Sequence, residues 1–196
     1  RTRTSSTRTR ARSSTPTCST PIKFDVWATN PYTSGGPQHH AALPYDLSLG
    51  DLPKMRAVLD AAVAAGHIQT SLPHIRFWVT EFSWDSNPPD KCSPSMALLE
   101  RWIPEALYRM WQNGADLVVW LQIQDDPMTT SFYQSGFFFT AASLAAAKPK
   151  PTVEGFRFPF VAYPRGKKVY VWAHTPLGVK RRITIEQKTG KRWGIV

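Results

Sequence analysis

Cysteine is scarce: Cys18 and Cys92 are the only two in 196 residues. Two thiols make neither a disulfide framework nor a four-ligand zinc site, so the redox compartment stays open. Long apolar runs are missing as well. None approaches the roughly 20 residues that a bilayer crossing needs, so no membrane partner is expected. The first residues are polar and Arg-rich rather than a charged start followed by an apolar block, so no secretory leader is read there. No internal repeat is present.

Charge is abundant but divided. The chain carries a net +10. Residues 1–20 hold five Arg and no acid, and twelve of the twenty are Ser or Thr. Nothing in that leader has an apolar period, so it reads as a disordered basic arm. Residues 148–196 contribute another +10, which leaves 21–147 at −5. A nucleic-acid binder would place its basic residues on the folded working face, and this mildly acidic middle argues against that partner.

From Phe24 the pattern becomes that of a folded domain. Phe24–Ala28 reads as a strand running into the loop Asn30-Pro31-Tyr32 through His39-His40. Asp51 is placed to cap a helix with Leu52, Met55, Leu59, Ala62 and Val63 on its apolar face, closed by Gly66. Ile75–Glu81 is a strand of β-branched and aromatic residues. A second helix follows, apolar at Leu98, Leu99, Trp102, Ile103, Ala106, Leu107, Met110 and Trp111 and ended by Asn113-Gly114. Pro104 is expected to kink or split it. Leu117–Ile123 is a third strand, and Ser143–Ala147 looks like the start of another helix. Strand, helix, strand, helix, strand implies parallel pairing through right-handed crossovers. Beyond Lys148-Pro149-Lys150-Pro151 the period changes to two, with Val169, Val171, Ile183 and Ile185 alternating with polar or aromatic residues and a hairpin turn at Lys188–Lys191. About 45 residues there are few for a closed sandwich.

Glu81 stands out on position alone. It follows four residues of which three are large and apolar, at the C-terminal end of a strand, the edge where α/β proteins build active sites. A carboxylate there is costly without partners or a task. Trp78, Trp84 and Trp120 offer flat apolar faces of the kind that stack on sugar rings. The competing reading is a structural Glu held by a loop Arg or backbone amides.

The run Trp78-Val79-Thr80-Glu81-Phe82-Ser83-Trp84, preceded by a strand ending in Asn30-Pro31-Tyr32 and followed by one ending in Trp120-Leu121-Gln122, resembles the retaining glycoside hydrolases of clan A. The resemblance spans roughly residues 24–155. It implies an α/β fold in which 21–150 is the C-terminal portion (strands 6–8) of a (β/α)8 TIM barrel and 151–196 a small antiparallel β unit. It implies Glu81 as nucleophile, Tyr32 as its hydrogen-bond partner and Trp120 as the floor of the sugar subsite, with Trp84, His39 and His40 alongside. A carbohydrate substrate, a secreted location and no cofactor go with it.

Two departures matter. The clan often has a His where this chain has Asn30. Its acid/base Glu follows an Asn, and no Asn-Glu pair occurs here. Retaining hydrolysis needs two carboxyls about 5–5.5 Å apart, so barrel strands 1–5 and the acid/base are expected to lie outside these residues and the chain alone to be inactive. Asp125 and Asp126 are weighed as replacements and set aside as cap or solvent residues. His39-His40 lacks a third ligand, so no metal is expected. Tyr163, Tyr170, Trp172 and Trp193 at strand spacing read as packing rather than a sugar-binding face. The alternative function is a non-catalytic carbohydrate-binding or scaffold protein; the oligomeric state stays open.

Overall fold

The computed structural model describes residues 20–176 and 182–196. In chain order these form β1 (Ile22–Lys23), β2 (Val26–Thr29), α1 (Leu52–Ala64), β3 (Ile68–Gln69), β4 (Arg76–Phe82), α2 (Met96–Gln112), β5 (Ala115–Trp120), α3 (Thr152–Arg157), β6 (Phe160–Arg165), β7 (Lys168–Ala173), β8 (Glu186–Thr189) and β9 (Arg192–Ile195). The Arg-rich leader, apart from Thr20, and with it Cys18, lie outside the described residues; Cys92 is exposed and has no disulfide partner among the described residues.

β2, β4 and β5 form one sheet, in that order and all parallel. Phe77, Val79 and Phe82 of β4 pack against Leu99, Ile103, Ala106 and Met110 of α2, and Leu49, Leu52 and Met55 complete the core. The first helix buries Leu52, Met55 and Leu59 as its apolar spacing requires, while Val63 near its end stays 39% exposed. Gly66 and Gly114 close α1 and α2 at φ 76° and 78°, a left-handed conformation that glycine adopts at no steric cost.

Pro104 does not split α2, which runs unbroken from Met96 to Gln112. The helix bond that proline forfeits would have run to the carbonyl of Glu100. That region is covered by α3: a side chain at Gly155 would meet the Glu100 carbonyl at 3.3 Å and Pro104 Cδ at 3.4 Å. Glycine there lets α3 dock closely on the proline turn.

The expected barrel portion is not present. Among the described residues the sheets have only two or three strands, three α-helices accompany them, and nothing closes into a barrel or a remnant of one. Continuous apolar strands suggested a sheet covered on both faces. Instead Leu117 and Val119 of β5 remain 38% and 45% exposed. A crossover pattern sets strand direction and order; it carries no information on closure, and a small open mixed α/β domain satisfies it equally. The antiparallel part consists of two separate hairpins, β6–β7 and β8–β9, the latter turning at Gly190 as its sequence predicts. Ile183 and Ile185 lie outside the strands, Ser143–Ala147 yields one 3-10 turn at Leu144–Ala146, and α3 has no counterpart in the sequence reading.

Candidate active site

Strict alternation along β4 would put Glu81 on the same face as Phe77 and Val79, inside the apolar core. A bulge prevents it. Val79 pairs with Val118 and Phe82 with Trp120, so Thr80 and Glu81 together face the single residue Val119. The extra residue shifts the pleat, Phe82 takes the core position at 1% exposure, and Glu81 turns out to the half-buried rim.

β2 supplies what Glu81 meets there. Its register places Thr29 beside Val79, so the residues after it run alongside Thr80 and Glu81. The Tyr32 amide donates to the Asn30 carbonyl at 2.9 Å, a three-residue turn, and Pro31 between them is fully buried. This turn sends both flanking side chains to one carboxylate. Tyr32 Oη donates to Glu81 Oε1 at 2.8 Å, and Asn30 Nδ2 donates to Oε2 at 3.3 Å. Thr80 Oγ1 donates to Asn30 Oδ1 at 2.8 Å, which fixes which end of the amide faces Glu81. The Tyr32 ring stacks on Phe82 with centroids 6.1 Å apart. Burial, and next the Glu81 carboxylate, push the Tyr32 phenol up to about 12, so it stays protonated as a donor.

The other residues singled out from sequence lie around this pair in different roles. Trp84 is 7% exposed, donates its indole N–H to the Gly35 carbonyl at 3.1 Å, and packs edge-on against Phe82 at 4.8 Å. It is a core residue holding the 33–40 loop. Trp120 is half-buried, donates to the Ser135 carbonyl at 2.8 Å and stacks on Phe137 at 4.9 Å. His39 contributes its backbone: its carbonyl accepts from Gly50 at 3.1 Å and from Ser48 Oγ. His40 Nδ1 lies 2.8 Å from Asp51 Oδ1. Asp51 stands at the N-cap position of α1 as expected, but its side chain makes no cap bond to the helix. It reaches back instead, accepting the amides of Ala41 at 2.8 Å and Ser48 at 3.1 Å. The Ala41 bond is the main cause holding its carboxyl well below the ordinary 3.8. The histidine loop is thus organised on Asp51, while Glu81 is served by Asn30 and Tyr32. No group of three His, Cys, Asp or Glu side chains among the described residues could hold a metal ion.

A second polar cluster lies beyond the end of β5. Asp125 neither caps a helix nor faces solvent; it is 3% exposed. Lys150, 1% exposed, donates to Asp125 Oδ1 at 2.6 Å, Ser86 Oγ at 2.8 Å and the Gln134 carbonyl at 2.8 Å. Gly136 N–H donates to the same Asp125 oxygen at 2.8 Å. Burial pushes the Asp125 carboxyl up and the Lys150 ammonium down, and their pairing opposes both shifts. Lys150 had no sequence signal, being one cation within a basic Pro-Lys run. Asn30 had one, its position two residues before Tyr32, but its partner becomes legible only once the β2–β4 register is known.

Tyr163, Tyr170 and Trp172 gather within 5.4–6.1 Å of the Tyr108 ring on α2, which makes them packing residues; Trp193 is 63% exposed. No helix of the described residues is long and apolar enough to cross a membrane. No family model, no curated protein and no solved structure matches this chain.

Proposed function

We propose that this chain carries the nucleophile half of a retaining glycoside hydrolase site, with Glu81 as the attacking carboxylate and a carbohydrate as substrate. One observation carries the reading: each Glu81 oxygen meets a neutral donor, Tyr32 Oη at 2.8 Å and Asn30 Nδ2 at 3.3 Å. A nucleophilic carboxylate must be held in one orientation while keeping its charge. Two neutral donors from one turn do that, whereas a lysine or arginine would neutralise it. In the reaction one Glu81 oxygen attacks the anomeric carbon as the bond to the leaving oxygen breaks, and the departing electron pair takes a proton from an acid. On this reading that acid belongs to a part of the protein that this sequence does not include, so glycosyl transfer to Glu81 needs a leaving group that departs without a proton.

The test uses the chain as it stands. A panel of 2-deoxy-2-fluoro glycosides bearing a dinitrophenolate leaving group, one per common sugar configuration, is incubated with the protein. At least one should leave a glycosyl ester mapped to Glu81 by peptide mass spectrometry, absent from Glu81→Gln, with no sustained turnover. Saturable sugar binding without any ester on Glu81 favours the non-catalytic carbohydrate-binding reading instead. Neither ester nor binding overturns both.

A further inference from the structure

The sequence Ser131-Phe132-Tyr133-Gln134 combines two opposites. Gln134 and Ser135 are 1% and 2% exposed, while Phe132 and Tyr133, immediately before them, are 89% and 57% exposed. The buried half is tied to the strand ends that carry the site. Gln134 N–H donates to Asp85 Oδ1 at 2.8 Å, and the Ser86 amide donates to the Gln134 carbonyl at 3.2 Å. Asp85 and Ser86 lie in the loop that follows β4, the strand that ends just past Glu81. The Tyr133 carbonyl accepts from Asp126 N–H at 3.2 Å and from Gln122 Nε2 at 3.4 Å, two residues past the Trp120 that pairs with Phe82. A firmly anchored loop therefore displays two aromatic rings to water at the same edge of the sheet, where β4 and β5 end and Glu81 stands. Rings of that size normally bury much of their area, and an exposed apolar patch held in place marks a contact surface.

We propose that Phe132 and Tyr133 form the platform for the leaving-group side of the substrate, stacking on a flat ring, sugar or aryl, attached through the bond that Glu81 breaks. This inference rests on Glu81 being the nucleophile. It makes the pair specificity-determining: the two residues act on what departs and leave the transferred sugar to the groups around Glu81. Their exposure means that shortening them removes little packing, so the variants are expected to fold as the parent does.

Two donors of one sugar configuration separate the possibilities, a 2-deoxy-2-fluoro glycosyl fluoride, whose leaving group has no ring, and the matching dinitrophenyl glycoside. In both, Glu81 bonds to the anomeric carbon and the leaving group departs as an anion, so no acid is needed. The double variant Phe132→Ala/Tyr133→Ala should label about tenfold more slowly with the dinitrophenyl donor, the loss expected for one ring contact, and within about twofold of the parent with the fluoride. Tyr133→Phe keeps its ring and should match the parent with both donors. Equal slowing with both donors, or none with either, overturns the platform while leaving the nucleophile in place. No ester on Glu81 from either donor in the parent chain overturns the nucleophile reading first, and the platform falls with it.

Discussion

Lys150→Met is the sharpest test of what holds the ends of β4 and β5 together. The substitution keeps most of the side-chain volume and removes the ammonium. Three acceptors lose their donor at once: Asp125 Oδ1 at 2.6 Å, Ser86 Oγ at 2.8 Å and the Gln134 carbonyl at 2.8 Å. The lysine and aspartate side chains are 0% and 1% exposed, so solvent cannot replace what is lost. Asp125 Oδ2 already lacks a hydrogen-bond partner among the described residues, which leaves the carboxylate only its Gly136 amide. Removing one member of such a pair costs about 3–5 kcal/mol, because the other charge stays buried and uncompensated. For a domain of this size each kcal/mol moves the melting temperature by about 2–4 °C, so a fall of roughly 6–20 °C is expected. Urea titration followed by tryptophan fluorescence reads the same quantity, since Trp84 and Trp120 flank the cluster's loops. The double variant Lys150→Met/Asp125→Leu should recover much of the loss, as replacing a whole buried pair by apolar residues often does. A loss below about 1 kcal/mol for the single variant, the range of an exposed pair, would refute the clamp.

Two further predictions concern protons. Tyr32 is pushed up to about 12 from 10, so above pH 10 the unfolded chain ionises while the fold holds its proton; this contribution to stability is full below 10 and is lost as pH rises through about 12. Because burial is the larger cause and Glu81 the next, Glu81→Gln should move the Tyr32 phenolate midpoint part of the way back toward 10, read by difference absorbance against Tyr32→Phe; an unmoved midpoint would show that the two side chains do not interact in solution. Asp51 is shifted the other way, so its contribution is full above the ordinary 3.8 and is lost as pH falls toward its lower folded value. Asp51→Asn should therefore weaken the protein at neutral pH and flatten the acid limb of its urea midpoint against pH, whereas an unchanged acid limb would assign that limb to other carboxylates.

The elements that sequence made legible are those whose local signals and buried faces agree. β4 carries β-branched and aromatic residues and sits between two strands, so propensity and packing point the same way. α2 shows its stripe at Leu99, Ile103, Ala106 and Met110 and buries it. Boundaries shifted where tertiary contacts decide: β5 starts at Ala115 rather than Leu117, because Asp116 bulges there and its carboxylate takes the Phe77 amide at 2.8 Å. Closure of the sheet was not legible at all. It depends on what pairs with the outer edges of β2 and β5, and neither strand's sequence differs visibly between an open edge and a paired one. The resemblance supplied the barrel, and the barrel is what the structure removes.

The same limit explains why two carboxylates that look alike in sequence end in opposite places. Glu81 and Asp125 both belong to the C-terminal ends of neighbouring parallel strands, one at the end of β4 and one just past β5. Their difference lies in partners from distant parts of the chain. Asp125 meets an ammonium 25 residues further on, is 3% exposed, and is neutralised by it. Glu81 meets a phenol and an amide from the turn after β2, and no Lys or Arg pairs with it among the described residues. A neutralised and buried carboxylate can clamp loops but presents no free charge to a substrate. An oriented carboxylate at a half-buried rim can do so, and the bulge in β4 is what puts Glu81 there instead of in the core beside Phe77 and Val79. Inserting one residue beside Val119 of β5 would give Thr80 and Glu81 a partner each, restore strict alternation and turn Glu81 into the face that Phe82 now fills. That variant should lose the glycosyl ester on Glu81 while keeping the circular dichroism of the parent, and an ester formed at the parent's rate would refute the role given to the bulge.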